Sequence, residues 1–388
     1  MNEAAWIIEP RDSLIVRDGK PFGANIAHAT SLDFPFPSTT AGGVRTRAGL
    51  DANGRFQVSQ IPFVKEIAVK GALLASLNSN GEIAAFYLPS PADALLLQTD
   101  LQKSVGKVFN LKRLFPIEHG EAITNLPKNL LLLGTKQDIS KQKPYTELKY
   151  WKWDKLKDWL NEGVENDRQE INVYGIKNLL KDSRVHVGIN EFFGSDEGNL
   201  FQTRGLEFNY GNDLTAKKLA LVVFTDEQKA NLPNGIAPFG GERRLVNWRK
   251  AENLETDLTT CPDEIREKII ETGHCRLMLL TPAYFENGLM PQKNDDFEVK
   301  AIACNRYQTV SGWDFVIGKP KPTQRLLPAG SILFLKLKTH NIADWIDKTW
   351  FSCLSETDSD GKDFSKDGFG LSILGTWNPY EDKGADVK

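Results

Sequence analysis

The chain has 388 residues, 40% of them hydrophobic and 26% charged, which is length enough for two domains with proper cores and an ordinary globular composition. A net charge of −3 and a pI near 6.1 argue against nucleic-acid binding over the whole surface, where a basic domain is needed. No apolar run approaches the roughly 20 residues of a membrane span, and Met1–Pro10 has no basic stretch followed by an apolar core, so no secretory signal and no membrane partner are expected and the expected location is the cytoplasm.

Along the chain, Ala4–Glu9 is short, apolar and β-prone. Asp18-Gly19, flanked by Arg17 and Lys20, is a tight-turn signal. Pro35 and Pro37 hold the next segment extended, and Ser38 or Thr39 can then cap a helix over Ser38–Gly49. Its first turn is small (Thr39, Thr40, Ala41, Gly42, Gly43), and Arg45 and Arg47 follow. A helix start with small side chains and nearby guanidiniums suits phosphate, although an ordinary capped helix packed closely on a sheet fits the segment equally. Lys65–Leu77 and Glu82–Leu88 read as strands joined at Asn80-Gly81. A long insertion at about 90–145 comes next. Trp153, Leu156, Trp159 and Leu160 then recur at helical spacing, and Ser183–Asn190 alternates as a half-buried strand with Val185, Val187 and Ile189 on one face.

The second half repeats this order. Lys218–Thr225 is a buried strand; Pro262 opens a helix with Ile265, Ile269 and Ile270 inward and Gly273 as its stop. Arg276–Thr281, Phe297–Asn305 and Ser331–Leu337 read as strands, followed by a helix bearing Ile342, Trp345, Ile346 and Trp350 and a last strand at Gly368–Leu374. The expected fold class is α+β: two tandem ferredoxin-like (RRM-like, βαββαβ) domains with long inserted loops, at 1–211 and 212–388, divided near Tyr210-Gly211-Asn212.

Four cysteines (Cys261, Cys275, Cys304, Cys353) form no C-x-x-C pair and no zinc pattern, so reduced, mostly buried thiols are expected and no metal or cofactor. Glu356–Asp367 resembles a calcium loop with Gly361 at its sixth position, but its end residues and the eighth, Asp363, depart from the pattern, and an acidic loop is the simpler reading. No P-loop, H-E-x-x-H or G-x-S-x-G string occurs, and His28, His119, His186, His274 and His340 are scattered.

Charge is segregated. Phe315–Ala343 and Leu101–Ile117 contain no acidic residue, while Glu356, Asp358, Asp360 and Asp363 gather elsewhere, as a local polyanion site requires. Three further segments carry the residue types of an RNA site. In Lys366–Trp377, Gly368, Gly370 and Gly375 admit a close backbone, and Phe369 and Trp377 can stack, the alternative being a plain glycine turn. In Phe239–Trp248, Gly240-Gly241 marks a turn, with Arg243, Arg244 and Arg249 as cations, the alternative being a hairpin with an exposed basic face. In Ser311–Ser331, Trp313 alternates with Lys319, Lys321 and Arg325, the mixture of single-strand binders, or else of a solvated arm.

Taken in order, R-D-G-K-P-F-G (Arg17–Gly23), F-P-F-P-S-T-T-A-G-G-V-R (Phe34–Arg45), R-V-H-V-G-I (Arg184–Ile189) with G-N-L-F (Gly198–Phe201), and F-G-G-E-R-R (Phe239–Arg244) resemble the third-subunit family of the Cmr complex, the type III-B CRISPR–Cas effector, within the RAMP proteins. L-L-T-P-A-Y-F (Leu279–Phe285), S-G-W-D (Ser311–Asp314), K-P-K-P (Lys319–Pro322), L-P-A-G-S (Leu327–Ser331) and G-F-G-L-S-I-L-G-T-W (Gly368–Trp377) extend the likeness over nearly the whole chain. The resemblance implies a non-catalytic subunit that caps the complex at the crRNA 5′ handle and pairs with the large palm-domain subunit and the first backbone RAMP subunit. On this reading Arg17, Lys20, Ser38, Thr39, Arg45, Arg47, Gly240, Gly241, Arg243, Arg244, Trp313, Lys319, Lys321, Arg325, Lys366, Gly368, Phe369, Gly370 and Gly375 are the expected RNA-binding residues. The rival expectations are a RAMP endoribonuclease that processes precursor crRNA, and a protein-only scaffold.

Overall fold

A computed structural model describes residues 3–18, 31–98, 108–118, 123–136, 138–139, 141–161, 165–211, 216–252, 254, 256–314 and 318–382. The principal elements run β1 (Glu3–Pro10), α1 (Pro37–Ala48), β2 (Val69–Leu77), β3 (Ile83–Pro89), α2 (Trp153–Asn161), β4 (Leu180–Ile189), β5 (Ser195–Glu207), β6 (Lys217–Asp226), β7 (Gly235–Pro238) and β8 (Leu245–Lys250). They continue with α3 (Asp263–Thr272), β9 (His274–Leu279), β10 (Phe297–Ala303), β11 (Ile332–Leu337), α4 (Ile342–Thr349), β12 (Ser352–Cys353) and β13 (Leu371–Thr376). The fold is mixed, with mostly antiparallel sheets and few helices.

The chain divides into two compact units that interleave in sequence. The first comprises Met1–Ala84, Leu179–Leu254 and Gln308–Leu326; the second comprises Ala85–Asn178, Glu255–Tyr307 and Leu327–Lys388. Each therefore draws on both sides of the boundary expected near Tyr210-Gly211-Asn212, and the segment expected as an insertion of the first domain falls in the second unit.

In the first unit β2, β6, β1, β8 and β7 stand side by side, all antiparallel, with α1 against β2. The pairs Ile7↔Val222 and Leu221↔Leu74 fix the register of its centre. β1 and β6 are buried almost end to end, and their near-continuous apolar runs are what a strand covered on both faces requires. That requirement explains a departure from expectation: β6 was the first strand of the expected second domain, but its run Leu219–Phe224 lies between β1 and β2. The expected turn at Asn80-Gly81 forms, with the Asn78 carboxamide accepting from the amides of Asn80 and Glu82.

β4 and β5 form a separate two-stranded hairpin. The alternation read in β4 holds, but the face expected to be buried is bare: Val185, Val187 and Ile189 are exposed, as are Phe192 and Phe193 at the tip. Among the described residues no other strand pairs with this ribbon apart from a single bridge, Leu14↔Leu206, at its base.

The second unit holds the sheet β10-β11-β9-β13-β12, with α2, α3 and α4 all touching β13. Its four long strands, numbered along the chain, stand in the order 2-3-1-4, with α4 between the third and fourth. The helix that a βαββαβ unit places between its first two strands is missing among the described residues of 280–296, and α3 instead precedes the first strand. Trp153, Leu156, Trp159 and Leu160 are buried on α2 as their spacing predicts. On α3, Ile265 and Ile269 face inward, but Ile270 is exposed, because one residue past Ile269 turns it about 100° away.

This unit closes around one guanidinium. Arg276 on β9 and Asp93 are both fully buried and joined at 2.7 Å. Arg276 Nε donates to the Thr376 carbonyl of β13 (2.8 Å), and Nη2 donates to the carbonyls of Trp159 (2.7 Å) and Leu160 (3.0 Å) in the last turn of α2. Trp159 Nε1 donates to the second oxygen of Asp93 (2.9 Å), and the Asp93 carbonyl accepts from the Leu114 amide (2.8 Å). The arginine thus satisfies carbonyls that a helix end leaves unpaired. Gly375 on β13 completes the junction, since a Cβ there would lie 2.9 Å from the Leu160 carbonyl oxygen.

Removing one member strands the other as a buried charge, so Arg276→Met is expected to cost about 3–5 kcal/mol in urea unfolding. The double variant R276M/D93L is expected to lose less than R276M alone; an equal or greater loss would show that the carboxylate is not what Arg276 neutralises.

Candidate nucleic-acid interface

Most of the basic and glycine-rich segments singled out in the sequence fall in the first unit, and α1 anchors them. Pro37, with φ fixed by its ring, takes the first helical position, which places the cap on Phe36. Ser38 and Thr39 therefore lie inside the first turn, half-buried, and neither side chain caps it. Thr40 Oγ1 donates back to the Pro37 carbonyl at 2.8 Å.

Arg45 and Arg47 sit in the last turn of α1, where cations suit the helix dipole. Arg45 donates from Nε (3.3 Å) and Nη2 (3.0 Å) to the Ile67 carbonyl. Arg47 is buried; its Nη2 donates to the Pro233 carbonyl and its guanidinium lies 6.0 Å from the Trp248 ring centre. Burial pulls its pKa below the usual arginine range. Both side chains, expected as phosphate ligands, grip main-chain carbonyls of their own unit, because buried carbonyls demand donors and a guanidinium offers several.

Gly43 points from α1 at the Phe239–Trp248 segment: a Cβ there would lie 2.7 Å from Phe239 Cε2 and 3.2 Å from Trp248 Cζ2. The Gly240-Gly241 turn in turn presses on the extended segment Leu14–Val16. Gly240 has φ +73°, a Cβ on it would meet the Ile15 carbonyl oxygen at 2.7 Å, and the Gly241 amide donates to that oxygen at 2.7 Å. The next two residues, Glu242 (φ 57°) and Arg243 (φ 51°), are left-handed without being glycine. Glu242 pairs with Arg17 at 2.5 Å. Three segments read separately in the sequence therefore meet at one turn, rimmed by Arg17, exposed Arg243 and half-buried Arg244. Arg244 Nε is shielded from solvent with no hydrogen-bond acceptor. Lys20, beside Arg17 in the sequence, lies outside the described residues.

The expected arm forms as two short antiparallel ladders, Gln308–Val310 with Gln324–Leu326 and Trp313–Asp314 with Lys319–Pro320. It belongs with the first unit, although the chain on either side belongs with the second. Lys319, Lys321 and Arg325 are exposed along it; the Trp313 side chain lies outside the described residues.

The C-terminal glycine loop, in the second unit, does not present the surface expected of it. Phe369 and Trp377 are buried, the first against Phe364 and the second against His274 and Phe334, so neither ring offers a face to a base. Gly370 has φ +77°, and a Cβ there would lie 2.7 Å from the Ser355 amide nitrogen. The Gly368 carbonyl accepts from Thr281 Oγ1 at 2.7 Å, and Lys366 is half-buried. Glycines mark a close backbone approach, and here the approaching chain is the protein's own. The acidic run before it is equally structural. Glu356 accepts from the amides of Glu286 (2.8 Å) and Gln292 (2.6 Å), Asp358 from those of Asp360 and Lys362, and Asp363 from that of Ser365. Among the described residues no cluster of three metal-ligating side chains forms. Burial, with Asp358, Glu286 and Glu356 nearby, pushes the Tyr284 hydroxyl up.

Of the histidines, His186 meets Thr203 Oγ1 (2.9 Å), and His274 meets the Thr272 carbonyl (2.7 Å), with burial pulling its pKa down. His28 and His119 lie outside the described residues. Two residues escaped the sequence reading altogether. Glu242 was passed over inside a basic string, and Asp93 inside an apolar stretch with nothing to mark its partner 183 residues away.

A family model described as CRISPR-associated protein (Cas_Cmr3) matches residues 6–377. Solved structures with a similar chain include two of the type III-B Cmr-beta bound to cognate target RNA, one of them also with AMPPnP. The first matches with TM-score 0.44 and 19% identity over 88% of each chain. The second matches with TM-score 0.44 and 17% identity over 85% of this chain and 86% of that one. A third is the crystal structure of the Csm3–Csm4 subcomplex in the type III-A CRISPR–Cas interference complex, with TM-score 0.40 and 13% identity over 97% of this chain and all of that one. No curated protein matches the chain. Among the described residues no helix is long and apolar enough to cross a membrane.

Adjacent glycines of α1 give a test of the packing. A Cβ at Gly42 meets nothing within 4 Å, so Gly42→Ala is expected to raise stability by about 0.5–1 kcal/mol. Gly43→Ala and Gly240→Ala are expected to lower it, read as opposite shifts in thermal midpoint; a rise for Gly43→Ala would mean that α1 does not depend on its contact with Phe239.

Proposed function

Given that the chain belongs to the Cmr3 family of CRISPR-associated proteins, we propose that it is an RNA-binding, non-catalytic subunit of a type III-B effector complex, holding the 5′ handle of the crRNA. The observation that carries this reading is the convergence of Leu14–Arg17, α1 and the Gly240–Arg244 turn in the first unit, with Arg17, Arg243 and Arg244 at the rim. Arginines on a rigid turn suit phosphate, which takes two hydrogen bonds from one guanidinium. The exposed Lys319, Lys321 and Arg325 extend the cationic surface along an arm of the same unit. Arg45 and Arg47 support this surface from behind by fixing α1.

Function at the handle end calls for neighbours on the complex, and the resemblance names them as the large palm-domain subunit and the first backbone subunit. The 2-3-1-4 strand order of the second unit supports a ferredoxin-like reading there. Among the described residues His186 lies in the first unit and His274 and His340 in the second, which supports binding over strand cleavage, since acid–base chemistry needs two groups at one phosphate.

The test is binding of handle-bearing crRNA by the reconstituted complex over a range of salt. Replacing Lys319, Lys321 and Arg325 together by Gln is expected to weaken binding and to flatten the slope of log affinity against log salt by roughly 2, since each phosphate contact on a single strand contributes about 0.7. Binding that ignores salt, or RNA cleavage lost with any one histidine, would overturn the proposal.

A further inference from the structure

The Gly240–Arg244 turn contains an acid where the proposed RNA surface should have none, and the backbone is bent to place it there. Glu242 and Arg243 both occupy the left-handed region, which costs a non-glycine residue free energy and persists only when its surroundings enforce it. Gly240 and Gly241, held on the Ile15 carbonyl, supply the enforcement. The result is that Glu242 meets Arg17 across 225 residues of sequence, with both side chains partly open to water. An ion pair so exposed contributes little to stability, so fold stability does not account for it.

We propose that Glu242 is a stand-in for phosphate: its carboxylate occupies the Arg17 guanidinium when RNA is absent and is displaced by an RNA phosphate when RNA binds. The inference rests on the RNA-binding reading above and adds which arginine the phosphate takes and what it must expel. A carboxylate and a phosphate present the same paired oxygens to the arginine fork, so one can replace the other without moving the side chain far. The displaced carboxylate, being exposed, turns to water. Arg243, next to Glu242 in the chain, is exposed and adds a second cation to the turn. The device sets a threshold: a ligand must bring an anion to compete, so weak contacts with neutral ligands leave Arg17 paired.

The experiment measures affinity of the reconstituted complex for handle-bearing crRNA with wild-type chain, E242Q, R17M and R17M/E242Q. E242Q removes the charge and keeps the shape, and is expected to tighten binding about two- to fivefold, the scale of one exposed ion pair. R17M is expected to weaken binding, and E242Q is expected to add nothing in the R17M background. Glu242→Asn, whose residue type tolerates the left-handed region, should give the same gain as E242Q and guards against a folding effect. Glu227→Gln, another exposed acid of the first unit, controls for net charge and should leave affinity unchanged. An unchanged affinity for E242Q, a gain that persists without Arg17, or an equal gain from Glu227→Gln would overturn the stand-in while leaving RNA binding intact. Failure of the wild-type complex to bind the RNA at all would instead remove the reading on which it rests.

Discussion

A guanidinium buried away from water must find acceptors for its N–H groups inside the protein, and in the second unit that demand at Arg276 decides which elements meet. The end of α2, the strand β13 and the segment of Asp93 all come to it because each offers an oxygen. The helix needs the arginine as much as the arginine needs the helix, since the last carbonyls of α2 have no partner of their own. The close seating of α2 on β13 is possible because position 375 has no side chain. A buried pair of this kind adds less to net stability than its short distances suggest, because desolvation opposes the attraction. Its effect is directional: the arrangement seen gives Arg276, the Asp93 carboxylate, the Trp159 indole and the carbonyls of Trp159, Leu160 and Thr376 their partners together.

The first unit is ordered by close approach. Gly43 lets α1 reach two aromatic rings, and Gly240 lets a turn rest on a backbone carbonyl. Arginines then fix what the glycines bring together, with Arg45 and Arg47 each ending on a main-chain oxygen. The consequence for function is a sorting of cations by depth. Those that reach a buried carbonyl serve the fold; those left at the turn and along the arm, Arg243, Lys319, Lys321 and Arg325, face solvent. On a chain with net charge −3, acids such as Glu356, Asp358 and Asp363 are held by backbone amides, away from these exposed cations in the sequence.

Much of the fold was legible in the sequence, and the parts that were not share a cause. The helices at Pro37–Ala48, Trp153–Asn161, Asp263–Thr272 and Ile342–Thr349 follow from spacing and capping within one short window. So do the strands β1, β2, β3, β6 and β11 and the turn at Asn78–Glu82. The tandem order inferred from them went astray at β6, because a strand records how many of its faces are covered and not which sheet covers them. The alternation of Val185, Val187 and Ile189 was likewise real, yet period two says only that the residues share a face.

The site shows the same division. By itself the sequence determined family, element type, the segregation of charge and the list of segments able to approach another chain closely, since residue type and spacing are local properties. It pointed to Gly368, Gly370 and Gly375 as places where another backbone can come close, and to Arg45 and Arg47 as ligands for an anion. Only the tertiary structure decided who the neighbour is: Ser355 and Leu160 for the glycines, the carbonyls of Ile67 and Pro233 for the arginines, and Arg17 for Glu242. The physical reason is that a missing Cβ or a guanidinium has the same chemistry toward a carbonyl of the protein as toward the backbone of a nucleic acid. Which of the two it meets is settled by burial, and burial is fixed by contacts between residues far apart in the chain.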